Sequence, residues 1–298
     1  MKHNCYDKSV NHMGVDVVSL FDGISCGMVA FERAGIEVNK YYAYEIDQSA
    51  ITISKKNYPQ IIRMGDGDVF HADYSEILRE RERERPLILI GGSPCTHWSI
   101  ANKNRTTVCE GLGWDLFMQY VRAINELNPD YFLYENNYLI SPIIRDKISS
   151  ELGVAPMMIN SALVSAQHRR RYYWTNISNI SVPEDKHILF RDVLEQHRVW
   201  KPCSNWVYSW YGNARKIDKL KLLSSDKSNA LTTKNTHCWQ YYLSDDKSMY
   251  TNLTPVEYER LQTLPDNYTE GVPNSARFKA IGNGWTVDVI AHIFKGLL

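Results

Sequence analysis

The sequence has no excess of charge of either sign: 34 Lys+Arg stand against 34 Asp+Glu in 298 residues. A field over the whole surface that would draw polyanions is therefore excluded, and any nucleic acid must meet a local basic patch. Cysteine is scarce, with six residues at positions 5, 26, 95, 109, 203 and 238 and no C-x-x-C pair. That spacing gives no metal-ligand set, so no metal is expected, and reduced thiols in a cytoplasmic protein are the simplest account. No apolar run approaches 18 residues, and Met1-Lys2-His3-Asn4 opens no signal-like segment, so no membrane association is expected. Internal repeats and low-complexity linkers are absent as well.

What is present is a series of apolar runs that end in glycine or acid. Pro86-Leu87-Ile88-Leu89-Ile90 is apolar throughout, as in a strand buried on both faces, and leads into Gly91-Gly92-Ser93-Pro94-Cys95. Two glycines turn the backbone sharply and let a ligand approach, so a thiol at the carboxyl end of this strand is a candidate nucleophile. The competing reading of Cys95 is a small buried hydrophobe. Upstream, the strand Val15–Phe21 runs through Asp22-Gly23-Ile24-Ser25-Cys26-Gly27 into a helix over Met28–Arg33. The pattern F-x-G-x-x-x-G is not G-x-G-x-x-G, but it still presents backbone N–H groups and a helix start to a ligand. A strand over Lys40–Ile46 ends at Glu45-Ile46-Asp47, an acid about 20 residues past the turn, where ribose hydroxyls can be bound. A third strand end at Asp66 or Asp68 followed by Val69 would lie beside the adenine, and the sequence does not choose between the two acids. The run of Arg and Glu over 75–85 predicts a solvated, ion-paired helix face.

Past Cys95, the polar segment 96–113 carries Trp98, Lys103 and Arg105 and has the composition of a lid. A helix is predicted over Trp114–Leu127, with Leu116 on its core stripe and within reach of a cofactor. The strand Tyr131–Tyr134 ends in Glu135-Asn136-Asn137, placing another acid at the ligand edge. Beyond a helix over Ser141–Leu152, a strand is predicted over Ala162–Ala166. It leads into Gln167-His168-Arg169-Arg170-Arg171-Tyr172-Tyr173-Trp174, where alternation sends Arg169 and Arg171 to one face and Arg170 to the other. Paired guanidinium groups suit a phosphate or a base carbonyl. Residues 191–234 hold nine Lys/Arg against four Asp/Glu, a net +5, interleaved with Trp200, Trp206, Trp210, Tyr208 and Tyr211. Arg215, Lys216, Lys219 and Lys221 in this window suit a small DNA-reading lobe, the alternative being a solvated peripheral subdomain. Thr254, Pro255 and Glu257 form a capping-box helix start within a helix-like Thr251–Leu264. Gly282-Asn283-Gly284-Trp285 precedes an apolar helix ending at Phe294.

Phe21-Asp22-Gly23 with Gly27, Ser93-Pro94-Cys95, Glu135-Asn136, Gln167-x-Arg169-x-Arg171 and Gly282-Asn283-Gly284, in this order, resemble the DNA (cytosine-5) methyltransferases over nearly the whole chain. The variants of these motifs are most similar to the de novo methyltransferase-like branch and its bacterial and phage relatives. Asn137 departs from the family's Val in E-N-V. The resemblance implies an α/β fold with a doubly wound, mostly parallel seven-stranded Rossmann-like sheet and a small target-recognition lobe. The implied organisation is a catalytic domain over 1–190, a recognition lobe over 191–245, and a segment 246–298 returning to the catalytic domain. S-adenosyl-L-methionine is the implied cofactor, held by Phe21, Asp22, Gly23, Ile24, Cys26, Gly27, Glu45, Ile46, Asp68, Val69, Gly92, Leu116, Asn283 and Trp285. Double-stranded DNA is the implied partner, contacted by Ser93, Pro94, Trp98, Lys103, Arg105, Arg170, Arg215, Lys216 and Lys219, and the sequence leaves the oligomeric state open. In the implied chemistry Cys95 attacks carbon 6 of a flipped cytosine, Glu135 (with a raised pKa) protonates N3, Asn136 orients it, and Arg169 and Arg171 hold the base carbonyl and a phosphate. The alternatives are a tRNA cytosine-5 methyltransferase with the same catalytic set, a catalytically silent DNA-binding relative, and a small-molecule methyltransferase.

Overall fold

The computed structural model describes residues 14–94, 98, 107–196, 199–202, 207–208, 214–215, 227–231, 241–243 and 249–298. In chain order the first elements are β1 (Val15–Leu20), α1 (Cys26–Ala34), β2 (Val38–Tyr44), α2 (Gln48–Asn57), β3 (Ile62–Arg63), α3 (Ser75–Glu80), β4 (Leu87–Gly91), α4 (Leu112–Leu127), β5 (Tyr131–Asn137), α5 (Pro142–Leu152) and β6 (Met157–Asn160). Then follow β7 (Gln167–His168), β8 (Arg170–Thr175), β9 (Lys201–Pro202), β10 (Val207–Tyr208), β11 (Ala214–Arg215), β12 (Ser228–Asn229), β13 (Tyr241–Leu243), β14 (Met249–Asn252), α6 (Pro255–Leu261), α7 (Asn274–Asn283) and α8 (Val287–Phe294).

The contacts divide the chain into two compact units. One comprises Met1–Ile159, Arg170–Pro183 and Val287–Leu298, the other Asn160–Arg169 and Glu184–Thr286. The expected lobe at 191–245 is smaller than this second unit, which also takes in 160–169 and 246–286, and the chain returns to the first unit only at Val287. Hydrogen bonds explain the difference: Gln167 and Arg169 are tied to main-chain carbonyls of Leu231, Leu261, Gly282 and Gly284.

The first unit carries a seven-stranded sheet in the order β3-β2-β1-β4-β5-β8-β6. β3, β2, β1, β4 and β5 run parallel and β8 runs antiparallel to β5, so the mostly parallel α/β sheet is as expected. β1 and β4 are buried along their whole length, which is why both read as unbroken apolar runs. One core cluster joins Leu20, Tyr44, Leu89, Phe117, Tyr120, Tyr134 and Trp174. α8 packs on α1, with Phe31 stacked on Phe294 at 4.1 Å. The second unit has its own core around Ala166, Leu231, Leu253, Tyr258, Leu261 and Ile281. Its helix α6 begins at the expected capping box, where the Thr254 hydroxyl receives the Glu257 N–H and the Glu257 carboxylate receives the Thr254 N–H.

Three local expectations change. The strand predicted over Ala162–Ala166 lies earlier, at β6, because the Asn160 side chain caps a 3-10 turn over Ser161–Leu163. The helix predicted over 75–85 stops at Glu80. Arg81 turns away to bond Asp130 and the carbonyls of Leu127 and Asn128, while Arg85 lies near Asp16, so this run is partly structural. Thr251–Leu264 begins as the end of β14 before α6 starts at Pro255.

At the carboxyl ends of β1 and β4, Leu20 pairs with Gly91, and a Cβ on Gly91 would lie 2.8 Å from the Leu20 carbonyl oxygen and 3.1 Å from the Tyr120 ring. Gly91→Ala is expected to destabilise the first unit by about 1–3 kcal/mol. Thermal unfolding checks it, as a lowered midpoint relative to the unaltered chain.

Candidate active site

The sheet order reverses between β1 and β4, since β1 continues to β2 on one side and β4 to β5 on the other. Ligands of open α/β sheets bind at this position, outside the carboxyl ends of the strands. The loop after β1 is built around three left-handed residues, Phe21 (φ 58°), Gly23 (φ 60°) and Ser25 (φ 59°). Two of the three are not glycine, so the surroundings must hold them there. Asp22 does much of this: its carboxylate receives the hydroxyls of Ser19 at 2.7 Å, Ser25 at 2.5 Å and Tyr41 at 2.6 Å. Burial pushes the Asp22 carboxyl up, and the three hydroxyl donors oppose that shift. Burial also raises the Tyr41 phenol, reinforced by the adjacent Asp22 charge. Behind them Ser25 meets Ser54 at 2.6 Å, and Arg63 donates to Ser54 at 2.7 Å.

Glu45, at the end of β2, receives the N–H groups of Gly23 at 2.7 Å, Ile46 at 2.9 Å and Asp47 at 2.8 Å. The carboxylate therefore bridges the two strand ends. Burial raises its pKa and the three backbone donors resist the rise. Ile46 beside it is 64% exposed, an apolar surface open at the ligand edge. Asp66 and Asp68 both line a cleft of about 530 Å³ with Tyr44, Met64 and His71. Asp66 is bonded to His71 and receives the Asp68 N–H, and Asp68 caps the 3-10 turn Val69–His71, so neither acid is singled out. Val69 is buried, and Arg122 braces the turn through the carbonyls of Val69 and Ala72. Ile24 and Cys26 are buried. A Cβ on Gly27 would strike Ile90 at 2.5 Å, which fixes Gly27 as a packing glycine. Gly92 and Leu116 are half-buried, with Leu116 against the core.

The second edge lies at the ends of β4 and β5. Cys95 lies outside the described residues, but the residues leading to it do not. Ser93 is 4% exposed, and its hydroxyl meets the Tyr134 hydroxyl at 2.7 Å. Asn136 is buried, and its amide donates to the Ser93 carbonyl at 3.3 Å and to the Tyr134 hydroxyl at 3.1 Å. Ser93 is thus a buried anchor rather than the DNA contact expected, and these Asn136 bonds run to the loop before Cys95. Pro94 is exposed. Glu135 points to the other face of β5, where Arg171 Nε lies 2.9 Å from its carboxylate and both side chains are 13% exposed. Asn137 receives the Leu139 N–H at 3.0 Å and closes the strand as a turn.

Several expected contacts are placed elsewhere. Trp98 is 1% exposed and belongs to the core of the first unit, which corrects its assignment to DNA. Arg169 is not on the face of Arg171, because the strand breaks between β7 and β8 at that residue. Its guanidinium is buried against the carbonyls of Leu231, Gly282 and Gly284 at 3.0–3.2 Å, so it is a latch within the second unit. Arg170 is exposed, 5.8 Å above the Tyr138 ring. Asn283 is the exposed last residue of α7 and Trp285 is half-buried, both in the second unit. Arg215 ends β11, while Lys103, Arg105, Lys216, Lys219 and Lys221, and most of the lid-like and basic aromatic segments, lie outside the described residues. Sequence reasoning missed Tyr134, Ser54, Arg63 and Gln262. The Gln262 amide bonds the carbonyls of Ile281 and Gly284, and its carbonyl receives Thr286 and Gln167.

A sequence model of C-5 cytosine-specific DNA methylases matches residues 15–142 and 146–298. The chain belongs to this family. Among curated methylases it is 26% identical over 322 aligned positions to the type II methyltransferase M1.ScrFI of Lactococcus lactis subsp. cremoris, covering 95% of this chain and 77% of that one. It is also 26% identical to the orphan methyltransferase M.SPRI of Bacillus phage SPR, over 78% of this chain and 53% of the relative. The methylase fold is shared with a putative DNA modification methyltransferase of an E. coli prophage (TM-score 0.65, 20% identity, covering 95% of this chain and 98% of that one). It is shared too with the Spodoptera frugiperda DNMT2 mutant (TM-score 0.68, 15% identity, covering 95% and 99%).

The two arginines should separate in experiment. Arg171→Ala is expected to keep its thermal midpoint and to slow methyl transfer by about 100-fold. Arg169→Ala strands buried carbonyls at roughly 1–3 kcal/mol each, and is expected to lower the midpoint by several degrees. Parallel melting curves and methyl-transfer rates on the two variants check this.

Proposed function

We propose that this chain transfers a methyl group from S-adenosyl-L-methionine to carbon 5 of cytosine in double-stranded DNA. The observation that carries the reading is that one sheet carries the preorganised loop 21–25 and Glu45 after β1 and β2, the Ser93-Pro94 segment leading to Cys95 after β4, and the Glu135–Arg171 pair on β5 and β8.

The residues fit the cofactor. The start of α1 suits the carboxylate of its amino-acid end, Glu45 suits ribose hydroxyls, and exposed Ile46 with the Asp66/Asp68 edge suits a purine. When bound, S-adenosyl-L-methionine supplies an electrophilic methyl group on a sulfonium.

Carbon 5 of cytosine is too weak a nucleophile by itself. Cys95 as thiolate adds to carbon 6 and pushes electron density to carbon 5. Glu135 hydrogen-bonds N3 and supplies a proton where negative charge develops, while Arg171 fixes that carboxyl group and faces the base carbonyl. Once carbon 5 carries the methyl group, water takes its proton, N3 returns its proton to Glu135, and the Cys95 thiolate leaves as the ring is restored. Because the target atom is inaccessible in stacked duplex, the base must leave the helix, at a cost of a few kcal/mol. Arg170, Lys103 and Arg105, and the basic aromatic segment with Arg215, Lys216 and Lys219, hold the DNA backbone.

Incubating the protein with unmethylated genomic DNA and S-adenosyl-L-methionine, followed by base-resolved sequencing, tests the reading. Methylated cytosine within one short sequence context is expected. Unmethylated DNA alongside methylated tRNA would overturn it in favour of an RNA substrate. Cys95→Ala is expected to abolish methylation while retaining DNA binding in a gel-shift assay, and residual turnover would rule out the covalent route. Charge removal at Lys216, Lys219 and Lys221 is expected to weaken DNA binding and to flatten its dependence on salt, by about one unit of slope for each lysine–phosphate pairing removed. Binding isotherms over a series of salt concentrations provide that check.

A further inference from the structure

Tyr134 has no role in the mechanism above, yet its hydroxyl stands at the centre of the buried hydrogen bonds behind the nucleophile turn. It meets the Ser93 hydroxyl at 2.7 Å and receives the Asn136 amide at 3.1 Å, and Asn136 also reaches the Ser93 carbonyl at 3.3 Å. The Tyr134 ring is fully buried between Phe117, Tyr120 and Trp174, with centroids 4.9–5.8 Å away. The ring is therefore fixed by packing, and its hydroxyl is a rigid post at the end of β5. Ser93 is two residues before Cys95, and Pro94 between them restricts the backbone, so a fixed Ser93 limits where residue 95 can stand.

We propose that the Tyr134 hydroxyl is a positioning residue for the nucleophile, holding the turn before Cys95 through Ser93 and Asn136. Apolar packing needs only the ring, and a phenylalanine would satisfy it. The hydroxyl adds directional bonds in a place where an unpaired polar group is costly, so its partners cannot drift without penalty. Near-attack placement within a fraction of an ångström is what such a post controls. The inference rests on the methyl-transfer reading for its kinetic part, whereas the anchoring of the turn stands apart from it.

Tyr134→Phe keeps the ring and deletes the post. The expected result is a fall of about 3–10-fold in the single-turnover methylation rate on unmethylated genomic DNA, with the KM for DNA within twofold of the parent. Ser93→Ala is expected to give a similar fall, and the double variant no more than either single one, because both act through one hydrogen bond. Hydrogen exchange of the peptide covering Gly91–Cys95 is expected to speed up about fivefold or more in both variants, with the β2 peptide unchanged. Parent-like kcat in Tyr134→Phe, or effects that multiply in the double variant, would overturn the proposal. Failure of the parent protein to methylate DNA would sink the functional reading instead, and the exchange measurement would still decide whether Tyr134 anchors the turn.

Discussion

The contact on which the rest of the first unit depends is the close approach of β1 and β4 at Leu20 and Gly91. The two strands lie side by side and parallel, and the sheet is extended outward from each in opposite directions. Their loops must therefore leave the same edge as neighbours. One carries the left-handed turn at Phe21, Gly23 and Ser25, the other the residues that lead into Cys95. Only a residue without a Cβ fits at Gly91 beside the Leu20 carbonyl and Tyr120, so the apolar runs of the two strands and a single glycine together bring the loop after β1 next to the loop after β4. The loop after β1 would not be positioned by its own sequence, because two of its left-handed residues are not glycine and need their surroundings to hold them.

Both units then use buried polar side chains to fix main chain rather than to face solvent. In the first, Asp22 gathers the hydroxyls of Ser19, Ser25 and Tyr41, while Glu45 and the Tyr134–Asn136–Ser93 cluster hold loop backbone at strand ends. In the second, Gln167, Arg169 and Gln262 hold the carbonyls of Leu231, Leu261, Ile281, Gly282 and Gly284. Each such group gives up water on burial and is tolerable only when its bonds are satisfied. That requirement makes the arrangements nearly all-or-none, so residues far from the chemistry can set the geometry at which it occurs. It also explains why Asp22 combines a carboxyl pushed up by burial with three hydroxyl donors that stabilise its charge.

The strands were legible because burial on both faces writes itself as an unbroken apolar run, as in Val15–Leu20 and Leu87–Ile90. The start of α6 was legible because a capping box is local chemistry, Thr254 and Glu257 three residues apart. Glu45, Glu135 and Arg171 lie near strand ends, Glu45 just past β2, Glu135 near the end of β5 and Arg171 near the start of β8. Tyr134, Ser54, Arg63 and Gln262 were not legible, since their partners lie far along the chain and no periodicity marks them. Trp98 misled for a related reason: a tryptophan in a polar stretch reads as exposed, whereas tertiary packing takes it into the core.

Arg169 and Arg171 show where a pattern argument fails physically. Alternation puts residues two apart on one face only while the strand is continuous. Here β7, paired with β12, ends at His168, and β8, paired with β5, begins at Arg170, so Arg169 falls between two strands of different sheets and its N–H is received by the Asn160 side chain. Its long, always-charged side chain then finds backbone carbonyls, acceptors that a guanidinium can satisfy several at a time. Arg171 remains in register on β8, opposite Asn137 and diagonal to Glu135, and the pleat delivers its Nε to that carboxylate. Two residues of identical chemistry, separated by one position, are thus divided between holding main-chain carbonyls and pairing with a carboxylate by the change from one sheet to another.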